Sequence, residues 1–349
     1  MKKISVITLS TLLFYIAPFT VNAEQVSKHL STIVQPEPIE RVHPKYPRNA
    51  AMTKREGWAK LSFIIEKDGS VSNILENETS GSADFTKASI KAVSQWKYKP
   101  AFENGEPIQQ CVNSVQMNFR IDNKEGEKGV RKRFLLKHKV AKEYLLNKDY
   151  ERVKFLLEEM GSLKKRHMSE NNYLNLLWSD YQNAIGNKDK ELFHLYRVSL
   201  DILPEKRQLS VLHSMFMLEL AQNKFRNAHS TYLTLSKLPS AKPYLENYQK
   251  LINKIDEAIG GDENIIIKAN IHEKDYWQYQ LVRNEFSLVN VEGNLTKLDV
   301  RCANKRHVYT VEENNTWTIP KAWANCHLYI YGEDNTTFNL VEHPFKNKA

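Results

Sequence analysis

From Gly57 to Ile65 apolar and polar positions alternate. Ala59, Leu61, Phe63 and Ile65 fall on one side of a two-residue period and Trp58, Lys60, Ser62 and Ile64 on the other. That period predicts a β-strand. Lys67-Asp68-Gly69-Ser70 follows, with Asp-Gly as the hairpin signal, and Val71–Asn77 returns as a second strand. The period then becomes helical. Ser82 is the candidate N-cap, and Phe85, Ala88, Ala92 and Trp96 share one face. Pro100 ends this helix, and Glu103-Asn104-Gly105-Glu106-Pro107 reads as a turn. In the next run Cys111, Val115, Met117, Phe119 and Ile121 alternate with Ser114, Gln116, Asn118 and Arg120, a third strand with one wet face. Residues 41–123 therefore predict a small β-β-α-β domain.

From 130 to 258 the pattern is helical throughout. Between Val130 and Ala258 the only glycines are Gly161 and Gly186. Val153, Leu156, Leu157 and Met160 form one apolar stripe, Tyr173, Leu177, Tyr181 and Ala184 a second, and Phe225, Ala228, Tyr232 and Leu235 a third. Asn-Lys turns recur at Asn147, Asn187 and Asn223, which are 40 and 36 residues apart. Helical hairpins at that interval suggest a repeat domain. The stretch AKEYLLNKDYERVKFLLEE resembles a tetratricopeptide hairpin, with a plain helical bundle as the alternative.

From 262 to 345 short alternating runs return (NIIIKA, YWQYQLV, EFSLVNV, LTKLDVRC, RHVYTV, CHLYIYG and TFNLVEH), separated by Asn, Gly and Asp. They predict an antiparallel sandwich or barrel. The fold class is thus multidomain α+β.

Composition changes this picture little. The chain is 41% apolar and 26% charged, ordinary for a globular protein. The net charge of +9 is spread along the chain, which reads as a solvated surface and gives no nucleic-acid partner. The densest basic stretch is KGVRKRFLLKHK, where Arg131, Lys132, Arg133, Lys137 and Lys139 would allow weak contact with an anionic membrane. The first 23 residues pair Lys2 and Lys3 with an apolar run and end in Val-Asn-Ala, the pattern of a cleaved export signal. An uncleaved anchor is the alternative, since Ile4–Val21 is at the short limit of a membrane span. Residues 24–40 read as a linker.

Export places the cysteines where disulfides persist. Cys302 ends one predicted strand and Cys326 opens another, so this pair is the candidate disulfide and Cys111 is left free, as a small half-buried hydrophobe. No Cys-x-x-Cys, no His-Glu-x-x-His, no glycine-rich phosphate loop and no Gly-x-Ser-x-Gly occurs. The sequence gives no catalytic residue, no metal site and no cofactor, and an enzyme is the disfavoured reading.

One set of residues stands outside these patterns. Pro44, Tyr46 and Pro47 in HPKYP precede Glu56-Gly57; Asp68, Gly69 and Val71 mark the hairpin; Trp96, Tyr98, Pro100 and Ala101 stand in WKYKPA; Asn104, Gly105 and Pro107 stand in ENGEP. In this order and spacing, residues 41–123 resemble the C-terminal domain of the TonB energy-transducer family. The prolines hold their neighbours extended, so the lead-in can lie along a sheet. Tyr46 and Trp96 are large rings suited to plugging the ends of a small core.

The resemblance implies protein binding without catalysis. In the family the domain captures an extended segment of an outer-membrane receptor, which adds as a strand beside the last strand. Carried over, the peptide contacts are Arg41, Val42 and His43 together with the strand residues Val112, Ser114, Gln116, Asn118 and Arg120. The fold-defining positions are Pro44, Tyr46, Pro47, Gly57, Asp68, Gly69, Trp96, Tyr98 and Pro100. The implied partner is an outer-membrane TonB-dependent receptor or another envelope protein, and the implied setting is the Gram-negative periplasm, in or beside uptake of iron–siderophore complexes or other nutrients. Two alternatives stay open. One is an energy transducer anchored in the inner membrane and coupled to a motor complex there. The other is a periplasmic scaffold or envelope-binding protein. The family's long proline-rich spacer is replaced here by the 17 residues 24–40.

Overall fold

Strand β1 (Pro38–Glu40) opens the described chain. The computed structural model describes residues 37–80, 82–103, 106–121, 130–163, 166–272, 274–311 and 315–345. The export signal, residues 24–36 of the linker, and Asn104 and Gly105 of the turn lie outside them. After the short helix α1 (Arg48–Met52), β2 (Gly57–Ile65) and β3 (Val71–Thr79) form the expected hairpin. Its turn is closed by Glu66 N–H to Ser70 O and Gly69 N–H to Glu66 O, and the Asp68 carboxylate accepts the Ser70 amide at 2.9 Å. Gly69 has φ +81°, and a Cβ there would come within 2.1 Å of Tyr98 O. Two reasons therefore require glycine, the left-handed backbone and the close approach.

Helix α2 (Ala83–Val93) covers this sheet. It is shorter than the periodicity suggests. Trp96 lies beyond its end yet still enters the core, edge-on to Phe63. Ser82 occupies the N-cap position, but its hydroxyl is turned to Asp84 instead of the helix amides. Two-residue β4 (Lys97–Tyr98) pairs with β1, β5 (Ala101–Glu103) with β6 (Glu106–Ile108), and β7 (Gln110–Phe119) with β2. The main sheet has the order β3-β2-β7.

The helical region forms three antiparallel hairpins, α3 (Lys132–Leu146) with α4 (Tyr150–Gly161), α5 (Met168–Ala184) with α6 (Lys188–Tyr196), and α7 (Glu205–Ala221) with α8 (Phe225–Leu235). Helix α9 (Leu245–Gly260) follows. Each Asn-Lys turn falls at a hairpin tip and holds one left-handed residue: Lys148 (φ 59°), Gly186 (φ 78°) and Asn223 (φ 54°).

The last region is a sandwich and not a barrel. One sheet has the order β13-β10-β15-β8, from β8 (Ile265–Asn270), β10 (Glu285–Glu292), β13 (Thr316–Thr318) and β15 (Thr337–Glu342). The other has the order β12-β11-β14-β9, from β9 (Tyr276–Gln280), β11 (Leu295–Cys302), β12 (Lys305–Tyr309) and β14 (His327–Gly332). Strand β13 around Trp317 is too short to register as a periodic run. The core between the sheets continues into α7, α8 and α9: Phe216, Ala228 and Ile252 pack in one cluster with Ile267, Phe286, Val300 and Leu340.

Cys302 and Cys326 form the expected disulfide. It ties the end of β11 to the start of β14, next to the Arg301–His327 pair of that ladder. Peptide mapping without reductant should recover this linked pair. The double serine variant should lose about 3 kcal/mol of stability in denaturant melts, the loop-entropy value for a link of this span.

Beneath the sandwich lies a third sheet. The outer face of β3-β2-β7 packs on the β12-β11-β14-β9 sheet. Tyr329 donates to Ser62 Oγ at 2.9 Å, Arg301 Nη1 to Asn73 O at 2.9 Å, and Cys111 Sγ lies 3.8 Å from Lys305 O. Between the layers β7 meets β11 and β12, β2 meets β14, and β3 meets both β11 and β9. Strand β2, read as having Lys60 and Ser62 on a polar face, is therefore covered on both sides, with Ser62 and Ile64 fully buried.

Candidate peptide-binding edge

The β3-β2-β7 sheet has two outer strands, and among the described residues β3 is covered and β7 is open. Strand β3 carries two bulges, at Asn73–Ile74 and at Asn77, and Asn73 is left-handed (φ 47°). Its carbonyls are tied off by the sandwich. Lys274 Nζ donates to Glu76 O at 2.9 Å and also to Asn77 O, Tyr276 donates to Glu76 O, and Arg301 reaches Asn73 O. Bulges and covering groups are how proteins close sheet edges to further pairing.

Among the described residues β7 pairs only with β2. Trp58 directs both its backbone groups to the β3 side, its N–H to Ser80 Oγ and its C=O to the Ser80 amide. Its partner across β7 is Asn118, so that position is a non-hydrogen-bonded pair. The N–H and C=O of Asn118 consequently point away from β2, and by the two-residue period so do those of Gln116. Their side chains are exposed and bond to each other, Gln116 Nε2 to Asn118 Oδ1 at 2.9 Å. Val112 packs toward the core and Ser114 is exposed. Arg120 is ion-paired with Asp201, outside the ladder.

The alternation expected along β7 breaks once. Between the Val112–Phe63 and Val115–Leu61 pairs β7 has one extra residue. A one-residue slip exchanges faces, so Cys111 lies opposite Ile64 on the sandwich side instead of joining Val115, Met117 and Phe119 in the core. It is free and buried, and burial pushes its thiol pKa up to about 12.

The lead-in sits elsewhere. Strand β1 pairs beside Tyr98, Arg41 stacks over the Trp96 and Tyr98 rings, and Trp96 Nε1 donates to Val42 O at 2.8 Å. Arg41 and His43 are exposed. Pro44 follows, Tyr46 is edge-on to Phe85 and Phe119 and donates to Arg55 O at 2.6 Å, and the C=O of Pro47 accepts the Ala51 amide. Burial raises the Tyr46 pKa to about 12. Among the described residues no ladder joins Arg41, Val42 or His43 to β7. The positions that define the domain serve its core. A Cβ on Gly57 would fall 2.2 Å from Ser80 Oγ, Tyr98 is buried, and Pro100 packs by Gly69.

The sequence reading missed the groups that close β3 and those that border β7. The two asparagines within β3 were the available sign of bulges. The charges in Leu-Asp-Val-Arg-Cys, all on one side of β11, were the sign of a polar face with a partner. In the basic stretch Arg131 is paired with Glu170 and Lys137 with Glu159, which leaves Lys132, Arg133 and Lys139 facing solvent. No group of side chains able to hold a metal, and no helix long and apolar enough to cross a membrane, occurs among the described residues.

Among the described residues the β3-β2-β7 sheet thus has one bulged, capped edge and one open edge. Residues 42–121 match the family described as Gram-negative bacterial TonB protein C-terminal. A solved structure, the solution NMR structure of the Pseudomonas aeruginosa TonB C-terminal domain, is 26% identical over 26% of this chain and 90% of its own, with a TM-score of 0.24. No curated protein matches the chain. Residues 42–121 thus carry the pattern of a TonB-type C-terminal domain.

Proposed function

We propose that this chain works in the periplasm and captures an extended segment of an outer-membrane TonB-dependent receptor by strand addition along β7, in or beside nutrient uptake such as that of iron–siderophore complexes. The outward backbone groups of Gln116 and Asn118 carry this reading, because they form the open edge in a sheet whose other edge is capped. Affinity in such capture comes from main-chain bonds and specificity from side chains.

The test is a substitution at Asn118. Proline removes the outward donor and obstructs pairing on that side, but it leaves the ladder to β2 untouched, since that pair shares no hydrogen bond. Asn118→Pro should therefore keep a native circular dichroism spectrum and weaken binding of labelled receptor N-terminal peptides by about tenfold or more, while Asn118→Ala changes it little. A folded proline variant that binds as tightly as wild type would refute capture at this edge.

A further inference from the structure

We infer that the free flank of the first helical hairpin is a dimer interface, on which a second copy of this chain docks about a two-fold axis with its α3 lying on α4.

Contacts within the helical region fix which flank is free. Helix α3 meets α4 through the Lys137–Glu159 ion pair and through the Arg152 guanidinium over the Tyr144 ring. It meets α5 of the second hairpin through the His138 ring, edge-on to Tyr173. Residues three and four apart share one stripe of a helix. Arg133, Leu136 and Val140 are so spaced, and their stripe lies beyond the seam with α4, away from His138. On α4 the matching stripe is Glu151, Phe155 and Glu158, on the side opposite the buried Val153, Leu157 and Met160. Together the two stripes form the end face of the helical stack.

In a stack of repeats each unit buries its apolar flank against the next, and an end unit needs a polar outer face. This end face is apolar along its centre. Leu136 is 57% exposed, Val140 40% and Phe155 66%. Contiguous exposed apolar side chains of this kind mark interaction sites.

Charge selects the occupant. Helix α3 carries five Lys or Arg residues against the single acid Glu143, and Lys132, Arg133 and Lys139 face solvent. Helix α4 carries three glutamates against Arg152 and Lys154. Pairing cancels Lys137 with Glu159 and Arg152 with Asp149, so Glu151 and Glu158 rim Phe155 with only Lys154 beside them. An anionic bilayer would be repelled by the α4 half, and a ligand of one sign would suit only one half. A second copy suits both. In a two-fold contact the same patch serves each partner. With the axis parallel to the helices, basic α3 of each copy lies on acidic α4 of the other. The seam contacts set the level along the axis: Lys137 is level with Glu159 and Tyr144 with Arg152. By interpolation Val140 comes onto Phe155 of the second copy, and Lys139 comes beside its Glu158.

The test is sedimentation equilibrium of the full chain over a dilution series, which should show a reversible monomer–dimer equilibrium. Phe155→Glu and Leu136→Glu, both at exposed positions, should keep native circular dichroism and raise the dimer Kd about tenfold or more, the effect of removing an apolar anchor from the centre of an interface. Leu233→Glu, at an exposed apolar position of α8, should leave the dimer unchanged. Charge exchange tests the arrangement independently. A chain with Arg133→Glu and Lys139→Glu would set acid against acid in its own dimer, and a chain with Glu151→Lys and Glu158→Lys would set base against base. Each should be monomeric alone, and their mixture should form a one-to-one heterodimer. A wild-type chain that stays monomeric throughout the series overturns the inference, and cosedimentation of that monomer with phosphatidylglycerol vesicles, lost in Leu136→Glu, would assign the flank to a lipid surface instead. A dimer indifferent to Phe155→Glu and Leu136→Glu, one abolished by Asn118→Pro, or a mixture that does not pair also overturns it.

Discussion

Replacing Asp299 by alanine is expected to lower stability by about 3–5 kcal/mol, the cost of leaving buried charge uncompensated. Asp299 is fully buried, and its carboxylate holds both Arg301, only 1% exposed, and Arg306. Arg301 in turn stacks on Tyr329 and donates to Asn73 O, so it fixes the TonB-type sheet to the sandwich. The loss should appear in denaturant melts. Limited proteolysis should also cut more readily in β3, whose edge Arg301 helps to cover. A second variant separates the causes. Changing Asp299, Arg301 and Arg306 together to Leu, Met and Met removes the charges as a set, and it should recover most of the stability, because buried ion clusters are often replaceable by apolar groups of similar volume. If Asp299→Ala melts like wild type, the cluster does not hold the two sheets together.

Arg283→Met should cost a similar amount, roughly 3–5 kcal/mol, for a different reason. Arg283 is buried and its guanidinium donates to five carbonyls, those of Ala258, Ile259, Gly261, Glu263 and Glu342. Ala258 and Ile259 belong to the last turn of α9, where carbonyls have no partner within the helix. Methionine fills much of the space and supplies no donor, so these oxygens stay buried and unsatisfied. Lysine supplies three donors without the planar fork and should recover part of the loss. Neighbouring Glu342 accepts the Val282 and Arg283 amides and the Tyr279 hydroxyl, and burial raises its pKa to about 7. Melts of the Met and Lys variants check the order wild type, Lys, Met. An unchanged Met variant would show that α9 and the sandwich are held by the apolar core alone.

Both residues act at joints between regions that differ in periodicity. A third joint is Glu56, which opens β2 in the TonB-like pattern. Its carboxylate accepts the Ile121 amide and the Met168 amide, each at 3.1 Å, and so links the end of β7 to the start of α5. A carboxylate at a helix N-terminus is also favoured by the helix dipole. The described residues form one compact unit. The switch from helical to strand periodicity near 260 marks a change of secondary structure, while the core runs across it through Ile252, Ile255, Ile265 and Ile267.

The sequence by itself determined the local elements: the β2–β3 hairpin through Asp68-Gly69, the helical hairpins through their Asn-Lys tips, the short strands of the sandwich, and the Cys302–Cys326 link. It also contained the TonB-type motif, since prolines, glycines and large aromatic rings act on backbone and core within one small domain. Tertiary structure alone decided which edge of the TonB-type sheet stays open and what lies over its polar face. A two-residue period shows that two faces differ in polarity, and a polar face is still buried when its groups find partners, as Ser62, Asp299 and Arg301 do. Nor does the period locate an inserted residue. The extra residue in β7 turns Cys111 to the other face, and only the ladder to β2 places it.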